Sequence, residues 1–109
     1  MGTYKIDFVL ISKIDDGKRL QLLLQTMETF NATVKPEFCN RFIYVDDRST
    51  LPLPYGFPNT PLNSLLEKNE KQLGVGGSKN RGVELHTQFG RGDLLYMFDA
   101  DVYFNEGWL

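Results

Sequence analysis

Ile6-Asp7-Phe8-Val9-Leu10-Ile11-Ser12 is a short, mainly apolar run rich in branched side chains. A continuous run of this kind, without apolar–polar alternation, is typical of a strand buried on both faces of a parallel sheet. The polar stretch Asp15-Asp16-Gly17 follows it and can start a helix. Apolar residues then recur at helical spacing: Leu20, Leu23, Leu24 and Met27. They predict an amphipathic helix over residues 17–31.

The rest of the chain continues this alternation of strands and helices. Strands are predicted over residues 41–45, 65–69 and 93–98, and a second helix over 78–89 with Ser78 as its N-cap. Four prolines and a glycine predict an irregular loop over 51–63, and Gly74-Val75-Gly76-Gly77 predicts a turn. The order strand, helix, strand, strand, helix, strand indicates an α/β domain with a mostly parallel, Rossmann-like sheet and flanking helices.

Length and composition restrict the class of protein. The chain has 109 residues, which suits a single domain, and its 41% hydrophobic content argues against disorder. A net charge of -2 without a basic cluster argues against nucleic-acid binding. No apolar stretch approaches the roughly 20 residues of a membrane helix, and no signal peptide is recognisable. The single cysteine, Cys39, is expected to be a small buried residue and fits a reducing compartment. We expect a cytoplasmic protein, either free or peripheral at a membrane.

Polar side chains follow three of the predicted strands at the point where each strand ends. They are Ser12 and Lys13, Asp46 and Asp47, and Asp99 and Asp101. Ligands of parallel α/β sheets bind beyond the carboxyl ends of the strands. The coincidence of three polar clusters at one predicted edge therefore indicates a binding site there.

Asp99 and Asp101 flank an alanine directly after an apolar strand. In extended backbone, residues i and i+2 point to the same side, and two carboxylates held so close repel each other unless a cation compensates. Mg²⁺ or Mn²⁺ suits such oxygen ligands, with phosphates and waters completing its shell. The alternative is a solvated turn at the strand end, in which aspartate is common.

Other polar residues admit two interpretations each. One of Asp46 and Asp47 can accept hydrogen bonds from a base or ribose and the other can cap a turn, or both can simply form the turn. The segment 74–82 resembles a phosphate-cradling loop that opens a helix, where Lys79 and Arg81 would either meet a diphosphate or face solvent. His86 lacks a serine or cysteine in a recognisable triad setting, so we expect it to be a surface or packing residue.

Taken together, these segments resemble the GT-A glycosyltransferases, especially family 2. The opening strand 8–12 resembles the first strand of that family. Val45-Asp46-Asp47-Arg48-Ser49-Thr50 resembles its Val-Asp-Asp-Gly-Ser-Thr segment, and residues 73–82 resemble its Gly-x-x-x-Ala-Arg-Asn-x-Gly segment. The strand 95–101 is similar to the one that ends in the Asp-x-Asp motif, and 105–109 to the stretch after it. Each motif is common alone, whereas their order and spacing are specific.

This resemblance implies a GT-A fold and a hexosyltransferase activity for the parent enzyme. The donor would be a nucleoside-diphosphate sugar, with a UDP-sugar favoured, and the acceptor a saccharide, lipid or protein, as in polysaccharide biosynthesis. Asp101 would bind Mn²⁺ or Mg²⁺ directly, and Asp99 would contact the metal or the ribose. The metal would stabilise charge on the leaving nucleotide.

The remaining implied roles concern the nucleotide. Asp47 would bind the nucleobase, and Asp46 would support that loop or the ribose. Ser12 and Lys13 would line the base pocket, and Lys79 would lie near the diphosphate. These five residues, with Asp99 and Asp101, are the predicted site of the chain.

The sequence also departs from the family. Arg48 replaces a glycine, so we expect that turn to differ, and the proline-rich loop stands where a helix is common. The family's acceptor site and catalytic base follow the Asp-x-Asp motif, so we expect the base beyond Leu109 and the chain to be a fragment. Two alternatives stay open: a nucleotidyltransferase of related fold, and a non-catalytic, flavodoxin-like or receiver-like metal-binding module.

Overall fold

A computed structural model of the chain describes residues 4–108. Its strands are β1 (Ile6–Ser12), β2 (Cys39–Asp46), β3 (Asn63–Lys68) and β4 (Leu94–Asp99). Helix α1 spans Gly17–Thr33, and α2 spans Gly74–Leu85 and continues as a π-helical turn, His86–Gly90. A short 3-10 turn, Pro36–Phe38, precedes β2. Within this part of the chain, no helix is long and apolar enough to cross a membrane.

The four strands form one sheet in the order β3-β2-β1-β4, and each pairs in parallel with its neighbour. The predicted α/β class with a mostly parallel sheet is therefore confirmed. The order matches the first four strands of the Rossmann fold, 3-2-1-4. It differs from the flavodoxin-like order, in which the first strand lies between the second and the third.

The two helices cover opposite faces of the sheet with different cores. Helix α1 and the proline-rich loop cover an aromatic core, whose buried members include Phe8, Phe30, Phe42, Tyr44, Phe98 and Phe104. Helix α2 covers a smaller aliphatic core of Val9, Ile11, Ile43, Val45 and Leu85. Gly82 lets α2 approach closely, because a Cβ there would lie 2.8 Å from Val9 Cγ1. Both faces of β1 and β2 are buried, which explains the uninterrupted apolar runs in the sequence.

The chain reverses its direction across the sheet between β1 and β4. It passes from β1 outward to β2 and β3, and α2 then returns it to β4 on the other side of β1. This topological switch point opens a crevice beyond the carboxyl ends of β1 and β4, where ligands of such sheets bind.

The start of α2 corrects one sequence prediction. The glycine-rich segment was expected to form a turn, with Ser78 capping a helix after it, but the helix begins at Gly74 and Ser78 is buried inside it. The cap comes from another element: Asp47 accepts hydrogen bonds from the N–H groups of Leu73 and Gly74 at 2.7 Å and 2.9 Å. Gly74 has φ 75°, a left-handed conformation that favours glycine. By contrast, α1 begins as predicted, with Asp16 accepting from Arg19 N–H.

Candidate functional site

The register of the sheet brings the predicted polar clusters to one edge. Ser12 lies opposite Asp46 on β2, and Ile11 lies opposite Asp99 on β4. Asp46 in turn lies opposite Lys68 on β3. The geometric expectation that these strand ends share an edge is confirmed.

A cleft of about 460 Å³ opens at the switch point between β1 and β4. The residues that line it come from both strand ends, the first turn of α1 and the start of α2, and include Ser12, Lys13, Arg19, Val75, Asp99 and Asp101. Four of the seven predicted site residues therefore meet in one cleft. Arg19 was missed, because a charged residue in a first helical turn carries no signal in the sequence. Asp46, Asp47 and Lys79 do not line this cleft.

Asp99 is the last residue of β4 and Asp101 lies in the turn after it, so the extended backbone expected across both aspartates ends at Asp99. Both residues are exposed and line the cleft. In residues 4–108, no three histidine, cysteine or acidic side chains form a ready metal cage. Mg²⁺ and Mn²⁺ do not require one, since they are commonly bound through one or two carboxylates together with substrate phosphates and waters. The two carboxylates fit such an ion.

The turn after β4 is fastened to α1 by threonines spaced along one side of that helix. Thr26, fully buried, donates to the carbonyl of Ala100 at 2.9 Å. Thr29 Oγ1 accepts from the N–H of Phe104 at 3.0 Å, and Thr33 Oγ1 accepts from Trp108 Nε1 at 2.6 Å. Helix α1 therefore sets the position of the Asp99–Asp101 turn.

Two buried hydroxyl groups lie close to each other at the carboxyl edge. They belong to Ser12, which lines the cleft and is 5% exposed, and to Tyr44, which does not line it and is 1% exposed. Among residues 4–108, neither hydroxyl has a partner other than the other one. Burial raises the pKa of Tyr44 to about 12, while the nearby Ser12 hydroxyl acts in the opposite direction. Ser12 was predicted from sequence, whereas Tyr44 was not.

The loop that carries Lys13 is attached to the turn after β2. Ser49 Oγ donates to Asp46 Oδ1 at 2.5 Å and accepts from the N–H of Ile14 at 2.7 Å. Asp46 thus holds the two loops together. Arg48, in the same turn, adopts a left-handed conformation with φ 65°. Lys13 pairs with Asp15, and this hydrogen bond lowers the pKa of the Asp15 carboxyl.

Asp47 is buried beneath the edge and does not reach the cleft. Its carboxylate accepts from Leu73 N–H, Gly74 N–H and Asn69 Nδ2, the last at 3.0 Å. Burial acts to raise the pKa of Asp47, but these three hydrogen bonds outweigh it, so the pKa lies below its ordinary value. The local prediction that one aspartate of the pair caps the following turn is confirmed for Asp46, which accepts from Ser49 N–H at 2.9 Å. Asp47 instead caps the distant start of α2, and contact with a nucleobase would require it to exchange these hydrogen bonds.

The two basic residues predicted near a diphosphate differ in their surroundings. Arg81 is paired with Glu67 at 2.9 Å and with Glu84 at 3.1 Å, and the Glu67 carboxylate is the main cause of its raised pKa. Lys79 is exposed on α2, outside the cleft. Arg81 is therefore part of an ion-pair network, whereas Lys79 makes no ion pair within residues 4–108.

A second polar cluster lies at the opposite, amino edge of the sheet. Asp7 is fully buried there and accepts from His86 Nδ1 at 2.6 Å, Gly92 N–H at 2.7 Å and Asn40 Nδ2 at 2.8 Å. His86 is thus the packing residue that was predicted, although its partner was not foreseen. The available signal was Asp7 itself, a lone acid inside an apolar strand. Cys39 is buried as expected, and burial raises its pKa to about 11.

Neither the protein-family models nor the curated proteins contain a match to this chain. What the cleft binds must therefore be inferred from its own residues.

Proposed function

We propose that this chain is the nucleotide-sugar-binding part of a family-2-like GT-A glycosyltransferase. The single observation that carries the proposal is the cleft at the switch point, which Asp99 and Asp101 line together with Lys13 and Arg19. Carboxylates and cationic side chains in one cleft suit a ligand that combines a divalent cation with a diphosphate. Sites at switch points also typically bind nucleotides.

The proposed donor lies across the cleft from β1 to β4. Its nucleoside rests near Ser12 and Lys13, and its diphosphate extends toward Asp99 and Asp101. Arg19, which lines the same cleft, contacts a phosphate of the bound donor in this proposal. Val75 brings the N-terminal turn of α2 to the same cleft, and helix N-termini favour anions. Asp46 and Asp47 serve this site by holding its loops, and Lys79 contributes positive charge at its margin.

The two exposed carboxylates would hold Mn²⁺ or Mg²⁺ in this proposal. Bound there, the cation supplies Lewis-acid stabilisation of the charge that develops on the departing nucleoside diphosphate. Asp99 and Asp101 hold the ion, and Thr26 fixes the turn that aims them.

Calorimetry of the chain with UDP, GDP and ADP, with and without Mn²⁺, tests this proposal. We expect one nucleotide to bind in a metal-dependent manner and Asp101→Ala to weaken that binding at least tenfold, about 1.4 kcal/mol. Glu106→Ala is the matched control, because Glu106 is an exposed acid on the same segment and does not line the cleft. A nucleotide affinity that changes neither with Mn²⁺ nor with the Asp101 substitution would rule out the proposed metal site.

A nucleotidyltransferase of related fold would use the same carboxylates for a different ligand. Titration with nucleoside triphosphates separates the two enzymes. A glycosyltransferase donor site should prefer UDP or UDP-glucose to UTP, whereas a clear preference for the triphosphate would favour the nucleotidyltransferase.

A further inference from the structure

The two outermost strands of the sheet, β3 and β4, differ in how their open sides are protected. An open side presents free N–H and C=O groups, and proteins commonly protect it with charged residues, proline or a bulge. Strand β3 contains Glu67 and Lys68, and Glu67 is paired with Arg81. Strand β4 has no proline and no charged residue before Asp99, and it pairs with β1 without a register shift. Its open side, which no strand of the described chain covers, is therefore regular and unprotected.

Apolar side chains are exposed on both faces of the sheet along the open side of β4. Leu94 and Tyr96 share one face, where they are 49% and 41% exposed. On the opposite face, Leu95 and Met97 pack against the aliphatic core but stay partly exposed. By contrast, β3 exposes one large apolar side chain, Leu66 at 47%. A further strand paired with β4 would cover all four of its apolar residues at once.

The charges at the two ends of β4 have opposite signs. Before the strand, Arg91 is exposed and makes no ion pair within residues 4–108. Asp93 lies at the same end, but it accepts from the N–H of Lys5 at 2.9 Å, and the ammonium of Lys5 leaves this end net positive. At the other end, Asp99 and Asp101 are exposed and negative. Two copies of β4 in antiparallel orientation would therefore place unlike charges together at both ends.

We infer that the open side of β4 is a self-association surface, to which a second copy of this chain adds its own β4 in antiparallel orientation. Main-chain hydrogen bonds join the two sheets into one across a two-fold axis. Leu94 and Tyr96 of each copy pack against those of the other, and the oppositely charged ends meet. Because the shared surface is small, the dimer forms at micromolar concentrations and is not permanent. The inference goes beyond the proposed function and does not depend on what the cleft binds.

Sedimentation velocity of the chain in metal-free buffer, from micromolar to millimolar concentration, tests this inference. We expect a reversible equilibrium between monomer and dimer. Leu94→Lys should weaken dimerisation by about tenfold or more, because a lysine on the open side of an outer strand opposes pairing. Leu66→Lys is the matched control, since Leu66 is exposed to the same degree on β3. It should change the dimerisation constant by less than about twofold.

Charge reversal provides a second set of variants. Arg91→Glu should weaken dimerisation about three- to tenfold, because the two-fold axis doubles the effect of each exposed charge pair. Combining Arg91→Glu with Asp101→Arg restores unlike charges at the two ends and should recover most of the lost affinity. Should Leu94→Lys fold poorly, the single and double charge variants decide the outcome.

Amide hydrogen exchange shows which strand carries the contact. The exchange of β4 amides should slow as the dimer forms, while that of β3 amides stays unchanged. A chain that remains monomeric at millimolar concentration overturns the inference. So does a dimer that Leu66→Lys weakens as much as Leu94→Lys, or one in which β4 amides gain no protection. These outcomes leave the proposed function standing, because nucleotide binding is measured separately in the calorimeter.

Discussion

The two edges of the sheet carry acids in opposite circumstances. At the amino edge, Asp7 is fully buried and is surrounded by three donors from distant parts of the chain. Gly90 and Gly92 pack so closely against it that a Cβ at either position would collide with its carboxylate. At the carboxyl edge, Asp99 and Asp101 are exposed on a cleft.

This contrast separates a structural acid from a candidate ligand-binding acid. A buried carboxylate persists only where hydrogen bonds or charges compensate its desolvation. The protein itself satisfies Asp7, so no external partner is needed there. Asp99 and Asp101 are exposed, so their carboxylates need no such compensation. We propose that a ligand accounts for their occurrence together at the switch point.

Replacing Asp7 should produce the largest loss of stability. In Asp7→Asn a donor amide replaces one acceptor oxygen and faces either Asn40 Nδ2 or both His86 Nδ1 and Gly92 N–H, and breaking a buried network of this kind typically costs about 3–5 kcal/mol. We expect the free energy of unfolding, measured by urea denaturation, to fall by about 3 kcal/mol. Asp99→Asn is the matched control on the neighbouring strand and should change it by about 0.5 kcal/mol or less. Similar losses for both variants would erase the distinction between the two edges.

Asp47 is intermediate between Asp7 and the two exposed aspartates. It is buried at the carboxyl edge, where its carboxylate caps the start of α2. Asp47→Asn should lower the free energy of unfolding at neutral pH by about 1–2 kcal/mol, the usual range for a helix cap. The folded-state pKa of Asp47 lies below the ordinary 3.8. Its stabilisation is therefore fully present above pH 3.8 and is lost as the pH falls through the folded-state pKa.

Urea denaturation of both proteins over a pH series checks this dependence. The difference in unfolding free energy between wild type and Asp47→Asn should be largest at neutral pH and shrink below pH 3.8. A difference that stays constant into strong acid would mean that the Asp47 charge does not contribute to the cap.

The sequence sufficed for features that depend on local pattern. The apolar run Ile6–Ser12 predicted β1 with its observed bounds, because a strand buried on both faces needs no alternation. The polar stretch Asp15-Asp16-Gly17 marked the start of α1, because a helix cap depends on neighbouring residues of the sequence. The shared edge of Ser12, Asp46 and Asp99 followed from parallel topology alone, since every carboxyl end then points the same way.

The sequence did not suffice where the partner of a residue is distant. The glycines after Leu73 indicated a turn, yet this segment is helical, and its first N–H groups are capped by Asp47, which directly follows β2. Helix propensity is local, whereas the compensating hydrogen bonds span 26 and 27 residues. Likewise, nothing in the spacing of Ser12 and Tyr44 reveals that register makes them neighbours.

The smallest effect on stability should come from Thr26, whose importance lies in geometry. Thr26→Val keeps the shape of the buried side chain but removes the hydrogen bond to the Ala100 carbonyl, at a cost of about 1 kcal/mol. Because Ala100 separates the two exposed aspartates, the loosened turn should also weaken Mn²⁺-dependent nucleotide binding by about threefold, roughly 0.6 kcal/mol. Thr87→Val is the matched control, since the Thr87 hydroxyl donates to the Val83 carbonyl of its own helical segment and to no other group in the described part of the chain. Thr26→Val could instead lower stability without altering metal-dependent affinity in calorimetry. In that case α1 would stabilise the fold but would not position the two carboxylates, and β4 alone would determine where they lie.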